Sequence, residues 1–330
     1  MERDLTIREG VKFAGIRAGA MHGVGAVRMA RGFARMLSGM ARAWFILGEF
    51  RPDVVFLTGG FVGVPVSVAA WLRRIPVVVY LPDIEPGLAL KAMARLAKKV
   101  ATTTDASARF IRRAKMVVTG YPVRQGFYAT TRETARARLG IRPSEKVLLV
   151  VGGSKGALSI NRAVTGNLSQ LLADEDLRLI HVAGRRDWAE VRAAREKLPA
   201  QQRERYMAYE YLHEEMADAM TAADLAVSRS GASTLGEMPF VGLPAILVPY
   251  PYAWRYQKVN AQYLVDRGAA VILEDARLAD ELPGEVQRLL NDPQRLAGMR
   301  RALLAMGGRD GARDIARLLL SVGTGAQVMT

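Results

Sequence analysis

Short strand-like stretches, most of them largely apolar, recur along the chain at 54–57, 75–80, 99–103, 116–119, 146–151, 177–183, 206–211, 225–227, 245–248 and 270–273. Between them the apolar positions shift to helical spacing, and strands alternating with helices predict an α/β protein with parallel sheets. Residues 11–16 are expected as a further strand. From 24 to 50 the pattern is helical, with Arg28, Arg31, Arg35 and Arg42 among Phe33, Met36, Leu37, Met40, Trp44 and Phe45. Steps of three, four and seven put those arginines on one side of a helix. That side is either a solvated basic face over an ordinary core stripe or a surface pressed against an anionic membrane. Residues 54–72 contain no charge, and the stretch is long enough to raise the question of a membrane span. Gly59, Gly60, Gly63 and Pro65 divide it into a strand, a glycine turn and a helix, so a buried strand–helix pair is expected instead.

The pattern divides the chain into a first domain at 1–124, a connection at 125–145, a second domain at 146–320 and a tail at 321–330. A length of 330 residues suits two such domains, each with its own core. The 47 basic and 32 acidic residues leave a charge of +15, which favours anionic partners. There is no arginine-rich tail, zinc-finger spacing or aromatic-interleaved basic run, so nucleic acid is not expected among them. The absence of cysteine excludes disulfides and thiolate metal sites. The histidines, His22, His181 and His213, stand far apart, so no metal is expected. The opening MERDLTIREG is charged and no signal peptide is expected.

Two turns carry candidate chemistry. Between the runs at 225–227 and 245–248 lies Ser228-Arg229-Ser230-Gly231, then a helix. Ser230 and Gly231 suit its N-cap, and Glu237 is expected one to two turns inside it. The helix start would present backbone N–H groups to an anion at the carboxyl edge of the sheet. Glu237 is then either an acceptor for sugar hydroxyls or a compensator of the helix dipole. The second turn, Gly152-Gly153-Ser154-Lys155-Gly156-Ala157, joins a buried strand to a helix and has the form of a phosphate cradle. Its spacing is neither that of a P-loop nor the dinucleotide G-x-G-x-x-G.

These residues also resemble a known family. GGSKGA followed by Asn161 is similar to the GGSxGA-x-x-x-N loop of the MurG glycosyltransferases, which add N-acetylglucosamine to undecaprenyl-diphospho-muramoylpentapeptide (lipid I). SRSGASTLGE at 228–237, GLPAILVPYP at 242–251 and QKVNA at 257–261 resemble that family's donor-site blocks, in the same order and at matching distances. Residues 52–55 with Gly59-Gly60, and Gly120-x-Pro122-Val123-Arg124, match its first domain. The resemblance implies a GT-B fold of two Rossmann-like domains, with UDP-N-acetylglucosamine held mainly by the second. It implies diphosphate contacts at Gly152, Gly153, Ser154, Lys155 and Gly156, and uracil pairing with the backbone of Leu212. Arg229, Ser230, Gly231, Ala232, Ser233 and Thr234 would line the phosphate and sugar, Glu237 would hold the ribose, and Gln257 and Asn260 would hold N-acetylglucosamine. Arg124 and Asp83 would stand near an interdomain cleft. Arg28, Arg31, Phe33 and Arg35 fall where the family places its membrane patch.

Three features depart from the family pattern. Nothing matches its glycine-rich first loop, and residues 1–5 resemble an internal family segment, so the first domain is expected to lack its first strand-helix-strand unit. Tyr80-Leu81-Pro82-Asp83 stands where the family carries HEQN, leaving Asp83 or Glu85 as candidates for the catalytic base. Lys155 replaces a glutamine beside the diphosphate. The implied reaction is an inverting transfer of N-acetylglucosamine to lipid I, giving lipid II in peptidoglycan synthesis, with no obligatory cofactor. The implied partners are UDP-N-acetylglucosamine, the lipid-linked muramoyl-pentapeptide and an anionic membrane surface, and the implied location is the cytoplasmic face of the cell membrane, as a peripheral protein. Two other readings are another lipid-directed UDP-sugar transferase and a catalytically incomplete UDP-sugar-binding homologue.

Overall fold

The computed structural model describes residues 3, 6–7, 10–16, 26–153, 156–251 and 256–325, except for the side chains of 26–31 and 33–34. The chain forms two compact units, Met1–Thr119 with Arg313–Thr330, and Gly120–Ala312.

In the first unit, strands β1 (Val55–Leu57), β2 (Val77–Leu81), β3 (Lys99–Thr102) and β4 (Met116–Val118) form a parallel sheet in the order β1-β2-β3-β4. Helices α1 (Ala26–Phe50), α2 (Gly63–Leu72) and α3 (Leu88–Leu96) belong to the same unit. The steady strand order makes every crossover step in one direction. Right-handed crossovers therefore put α2 and α3 on one face of the sheet. β2 is buried at all of its positions, as a strand covered on both faces must be, and its run VVVYL carries no charge. Val77, Val79 and Leu81 pack with Ala69 and Ala70 of α2, Met93 of α3, and Ala43 and Leu47 of α1. The uncharged stretch 54–72 thus resolves into β1, a turn and α2. Among the described residues no helix is long and apolar enough to cross a membrane. The strand expected at 11–16 does not form. Val11 and Phe13, which would share one face, are 58% and 43% exposed, residues 12, 14 and 15 are exposed as well, and no ladder is made.

The second unit holds β5 (Lys146–Val151), β6 (Leu177–Val182), β7 (Tyr206–Tyr209), β8 (Leu225–Ser228), β9 (Ala245–Leu247) and β10 (Ala270–Ile272). All pairs are parallel and the order is β10-β9-β8-β5-β6-β7. The chain starts in the middle at β5, moves out to β7, returns beside β5 as β8 and leaves the other way. Strand order therefore reverses between β5 and β8, and in open α/β sheets a reversal opens a crevice at the carboxyl ends. Around the sheet run α4 (Arg132–Arg138), α5 (Leu158–Gly166), α6 (Leu168–Leu171), α7 (Trp188–Glu196), α8 (Ala200–Arg205) and α9 (Glu215–Ala222). They are followed by α10 (Glu237–Val241), α11 (Tyr256–Val265), α12 (Leu278–Leu290), α13 (Pro293–Met306) and α14 (Gly311–Thr324), which belongs to the first unit from Arg313 onward.

The core joins the β5, β6, β8 and β9 side chains to α5 and α12. At the amino ends of the strands, Asp224 accepts from the Val147 amide at 2.8 Å and from Arg136 at 2.9 Å, and also pairs with Arg132. Residues 125–145, read from sequence as a connection, contain a 3₁₀ turn, Gln125–Tyr128, and α4, and they lie within the second unit.

Candidate active site

At the reversal between β5 and β8 the second unit has a cavity of about 610 Å³, of the size that small-molecule ligands occupy. One wall is the turn after β5, where Gly152, Gly153 and Gly156 line the space. Gly156 sits at φ +78°, and a Cβ on it would stand 2.5 Å from the Ala183 carbonyl oxygen. A Cβ on Gly152 would meet the Ala157 amide nitrogen at 2.4 Å. Only glycine lets the chain fold this tightly into α5, whose first amides face the carboxyl edge of the sheet. Ser154 and Lys155 lie outside the described residues.

A buried polar chain stands behind this turn. Asn161 donates through Nδ2 to the Ala183 carbonyl and to Asp187 Oδ2, both at 2.9 Å. Its Oδ1 is left to accept from His181 Nε2 at 2.9 Å, so His181 Nδ1 accepts the Tyr206 hydroxyl at 2.7 Å. Burial holds the His181 imidazole neutral, with its pKa pushed down to about 3, and raises that of the Tyr206 hydroxyl. Every polar atom along the chain finds a partner, as such a network requires in a dry interior.

The facing wall is the turn after β8. Ser228, Arg229, Gly231, Ser233 and Thr234 line the cavity. Ser230 does not cap a helix, contrary to the expectation. It is fully buried, and its Oγ donates to the Gln257 carbonyl at 2.8 Å. A 3₁₀ turn, Ala232–Leu235, comes first, closed by Thr234 donating to the Gly231 carbonyl at 2.6 Å, and α10 then begins at Glu237 itself. Glu237 is therefore the first residue of that helix, not one to two turns into it. The intervening Gly236 packs on Tyr121, where a Cβ would fall 2.2 Å from the tyrosine Cβ.

Glu237 is 12% exposed and accepts from Arg124 Nε at 3.1 Å, while Arg124 Nη1 donates to the His213 carbonyl at 3.3 Å. Burial raises the Glu237 carboxyl above its ordinary value, and Arg124 offsets this only in part. When ionised, such a group accepts hydrogen bonds only, and suits paired hydroxyl donors.

The remaining expected residues are distributed unequally. Leu212 and Gln257 line the cavity, and Gln257 Oε1 accepts from the Tyr250 amide at 2.9 Å. Asn260 is buried behind the wall and donates to the Ser230 carbonyl at 3.2 Å. Arg229 lines the edge with its guanidinium bonded to Ser159, Asp275 and the Val248 carbonyl. Ala232 opens the 3₁₀ turn and does not line the space. Sequence reasoning did not single out Tyr121, Tyr211, Met216 or Met220, which also line it. Position past the end of β7, for Tyr211, and a shared helical face, for the methionines, were the available signals.

In the first unit, Asp83 and Glu85 come after β2. Glu85 is buried with Lys91 Nζ 3.7 Å away, and Asp83 is half-buried. On α1, Arg35 is exposed together with Trp44, Phe45 and Phe50, and the side chains of Arg28, Arg31 and Phe33 lie outside the described residues. Among the described residues no cluster of acidic and histidine side chains has the form of a metal site.

Comparison with known proteins agrees with this architecture. Residues 147–318 match the glycosyltransferase family 28 C-terminal domain, and residues 1–102 match the family's N-terminal domain. A Roseiflexus sp. protein is 40% identical, covering 97% of this chain and 81% of its own. A Desulforudis audaxviator protein is 37% identical, covering 98% and 89%. Both are named UDP-N-acetylglucosamine–N-acetylmuramyl-(pentapeptide) pyrophosphoryl-undecaprenol N-acetylglucosamine transferase. The crystal structure of Acinetobacter baumannii MurG superposes with a TM-score of 0.73 at 24% identity, covering 97% of this chain and 88% of that one, so the fold is of the GT-B class. The chain belongs to glycosyltransferase family 28, within its MurG branch.

Proposed function

We propose that this chain is a UDP-N-acetylglucosamine-dependent hexosyltransferase that transfers N-acetylglucosamine, with inversion, to undecaprenyl-diphospho-muramoylpentapeptide, giving lipid II. The observation that carries the reading is the cavity at the β5–β8 reversal, with a glycine turn on one wall and a buried carboxylate, Glu237, on the other. Amides at the start of α5 and in the 231–234 turn suit a diphosphate, which must be stabilised as it leaves. Glu237 is suited to the ribose hydroxyls, the Leu212 backbone to uracil and Gln257 to the acetylated sugar. Asn260 and Ser230 act behind the wall, bonded to each other's segments.

In the transfer, an acceptor hydroxyl attacks the anomeric carbon and gives its proton to a base as the bond to the diphosphate breaks and UDP leaves. Asp83 is assigned as that base in preference to Glu85, which is buried beside a lysine. The acceptor is a lipid, and the basic and aromatic surface of α1 is assigned to contact with the anionic cytoplasmic face of the membrane. Titration calorimetry with UDP-N-acetylglucosamine, run beside a lipid I turnover assay, tests the proposal. Binding with turnover is expected. Absence of donor binding refutes the reading of the cavity, and binding without turnover on lipid I refutes the proposed transfer and favours a catalytically incomplete UDP-sugar-binding homologue.

A further inference from the structure

We propose that Asp275 is a positioning residue for the sugar-nucleotide site. It pins the Arg229 guanidinium so that one cation ties the carboxyl ends of four neighbouring strands and sets the separation of the two cavity turns. The inference rests on reading the cavity as a uridine diphosphate sugar site.

Arg229 directly follows β8 and its side chain is 10% exposed. Nη1 donates to the Val248 carbonyl at 3.2 Å, one residue past β9, and to the Asp275 carboxylate. Nη2 donates to Ser159 Oγ at 2.7 Å, and that hydroxyl in turn donates to Asp275 Oδ1 at 2.7 Å. The three side chains close a ring. Ser159 lies in the first turn of α5, which leads out of the glycine turn after β5, and Asp275 opens the 3₁₀ turn Asp275–Arg277 just beyond β10. The ring therefore gathers the segments leaving β5, β8, β9 and β10, strands that are contiguous in the sheet.

A guanidinium this buried is costly unless a charge opposes it, and Asp275 supplies that charge. Its planar fork fixes the directions of its bonds, so a loop cannot drift without breaking one. The cation is committed to protein acceptors, which makes its part in the site architectural. Without Asp275, Arg229 is free to turn toward the cavity it lines or toward solvent, and the start of α5 loses its tie to the β8 turn.

Asp275→Ala and Asp275→Asn variants of the full chain test this, with UDP and uridine titrated separately against each. Uridine has no phosphate, so it reports the nucleoside part of the site alone. Asp275→Ala is expected to weaken UDP by about tenfold or more while leaving uridine unchanged, because small displacements of positioning groups have large effects on a charged ligand. Asp275→Asn keeps an acceptor oxygen and should lose less, and Ser159→Ala should fall between the parent and Asp275→Ala. Equal losses for UDP and uridine would mean general damage and overturn the proposal. UDP bound by Asp275→Ala as tightly as by the parent, or more tightly, also overturns it. If the parent chain itself binds neither ligand, the reading of the cavity fails and takes this inference with it; a parent that binds both leaves the variants to judge Asp275 alone.

Discussion

Glu237 shows how far one side chain's chemistry is set by its surroundings. Its helix begins at the residue itself, so the carboxylate sits where the dipole favours a negative charge, yet burial outweighs that and raises its pKa. Below the raised pKa the carboxyl is protonated and loses acceptor sites. Donor affinity is therefore expected to fall on acidification, beginning at a higher pH than an ordinary glutamate would give. Glu237→Gln should bind the donor about tenfold more weakly at neutral pH and show no such pH dependence, since charge-assisted bonds are the stronger kind. Arg124→Ala, by removing the partial offset, should move the onset to still higher pH. Calorimetry across pH checks both.

His181 gives the opposite case. The folded chain refuses a proton down to about pH 3, whereas the unfolded chain takes one near 6.5. Unfolding thus binds protons between those values, and stability falls as pH falls through that window, by up to about 1.4 kcal/mol per pH unit. Denaturant unfolding at pH 7 and pH 5 should show a smaller loss for His181→Gln than for the parent, even though the variant starts out less stable.

The glycine turn after β5 is where a small change has the largest effect on an element. Gly156→Ala must accept both a left-handed φ and a collision with the Ala183 carbonyl, which is itself held by Asn161. The backbone has no flexible side chain to move aside, so the turn must open. The expected outcome is loss of UDP-sugar binding, with destabilisation of about 1–3 kcal/mol, measured by titration and by unfolding of the same preparation. Retained affinity would mean the turn does not hold the ligand. This turn was legible in sequence because glycines after a buried strand leave few alternatives. The β8 turn was less so. Ser230 looks like a cap, but its hydroxyl is taken by the Gln257 carbonyl from a distant helix, which displaces the start of α10 to Glu237. Residues 11–16 misled for a related reason, since an apolar alternation becomes a strand only beside another strand. Local pattern finds elements, and long-range hydrogen bonds decide where they begin.

At the scale of the molecule, the alternation of buried runs and helices was enough for two parallel sheets. The order β10-β9-β8-β5-β6-β7 was not readable from it, because pairing partners are set by crossover geometry and not by any one residue. That order is what turns two separate glycine- and serine-rich turns into facing walls. The charge of +15 has no comparable structural trace in the core and must act outward. In the first unit, exposed aromatic side chains stand on α1 and at the end of α2, where Phe45 and Phe50 are 70% and 73% exposed and Trp71 is 56% exposed. Arg73 lies over the Trp44 ring at 4.1 Å, bringing a cation to the same surface. Aromatics with basic neighbours suit an interface where rings sink into lipid and cations meet headgroups. Sedimentation with vesicles rich in phosphatidylglycerol should therefore carry the chain down, and less of it as salt rises from about 0.1 M to about 0.5 M, because screening shortens the reach of the charges. Phe45→Ser with Phe50→Ser should weaken vesicle binding at every salt concentration while leaving UDP affinity unchanged, since neither residue belongs to the unit that holds the cavity. Equal sedimentation of parent and variant would remove α1 from the membrane contact and leave the net charge to be explained by some other surface.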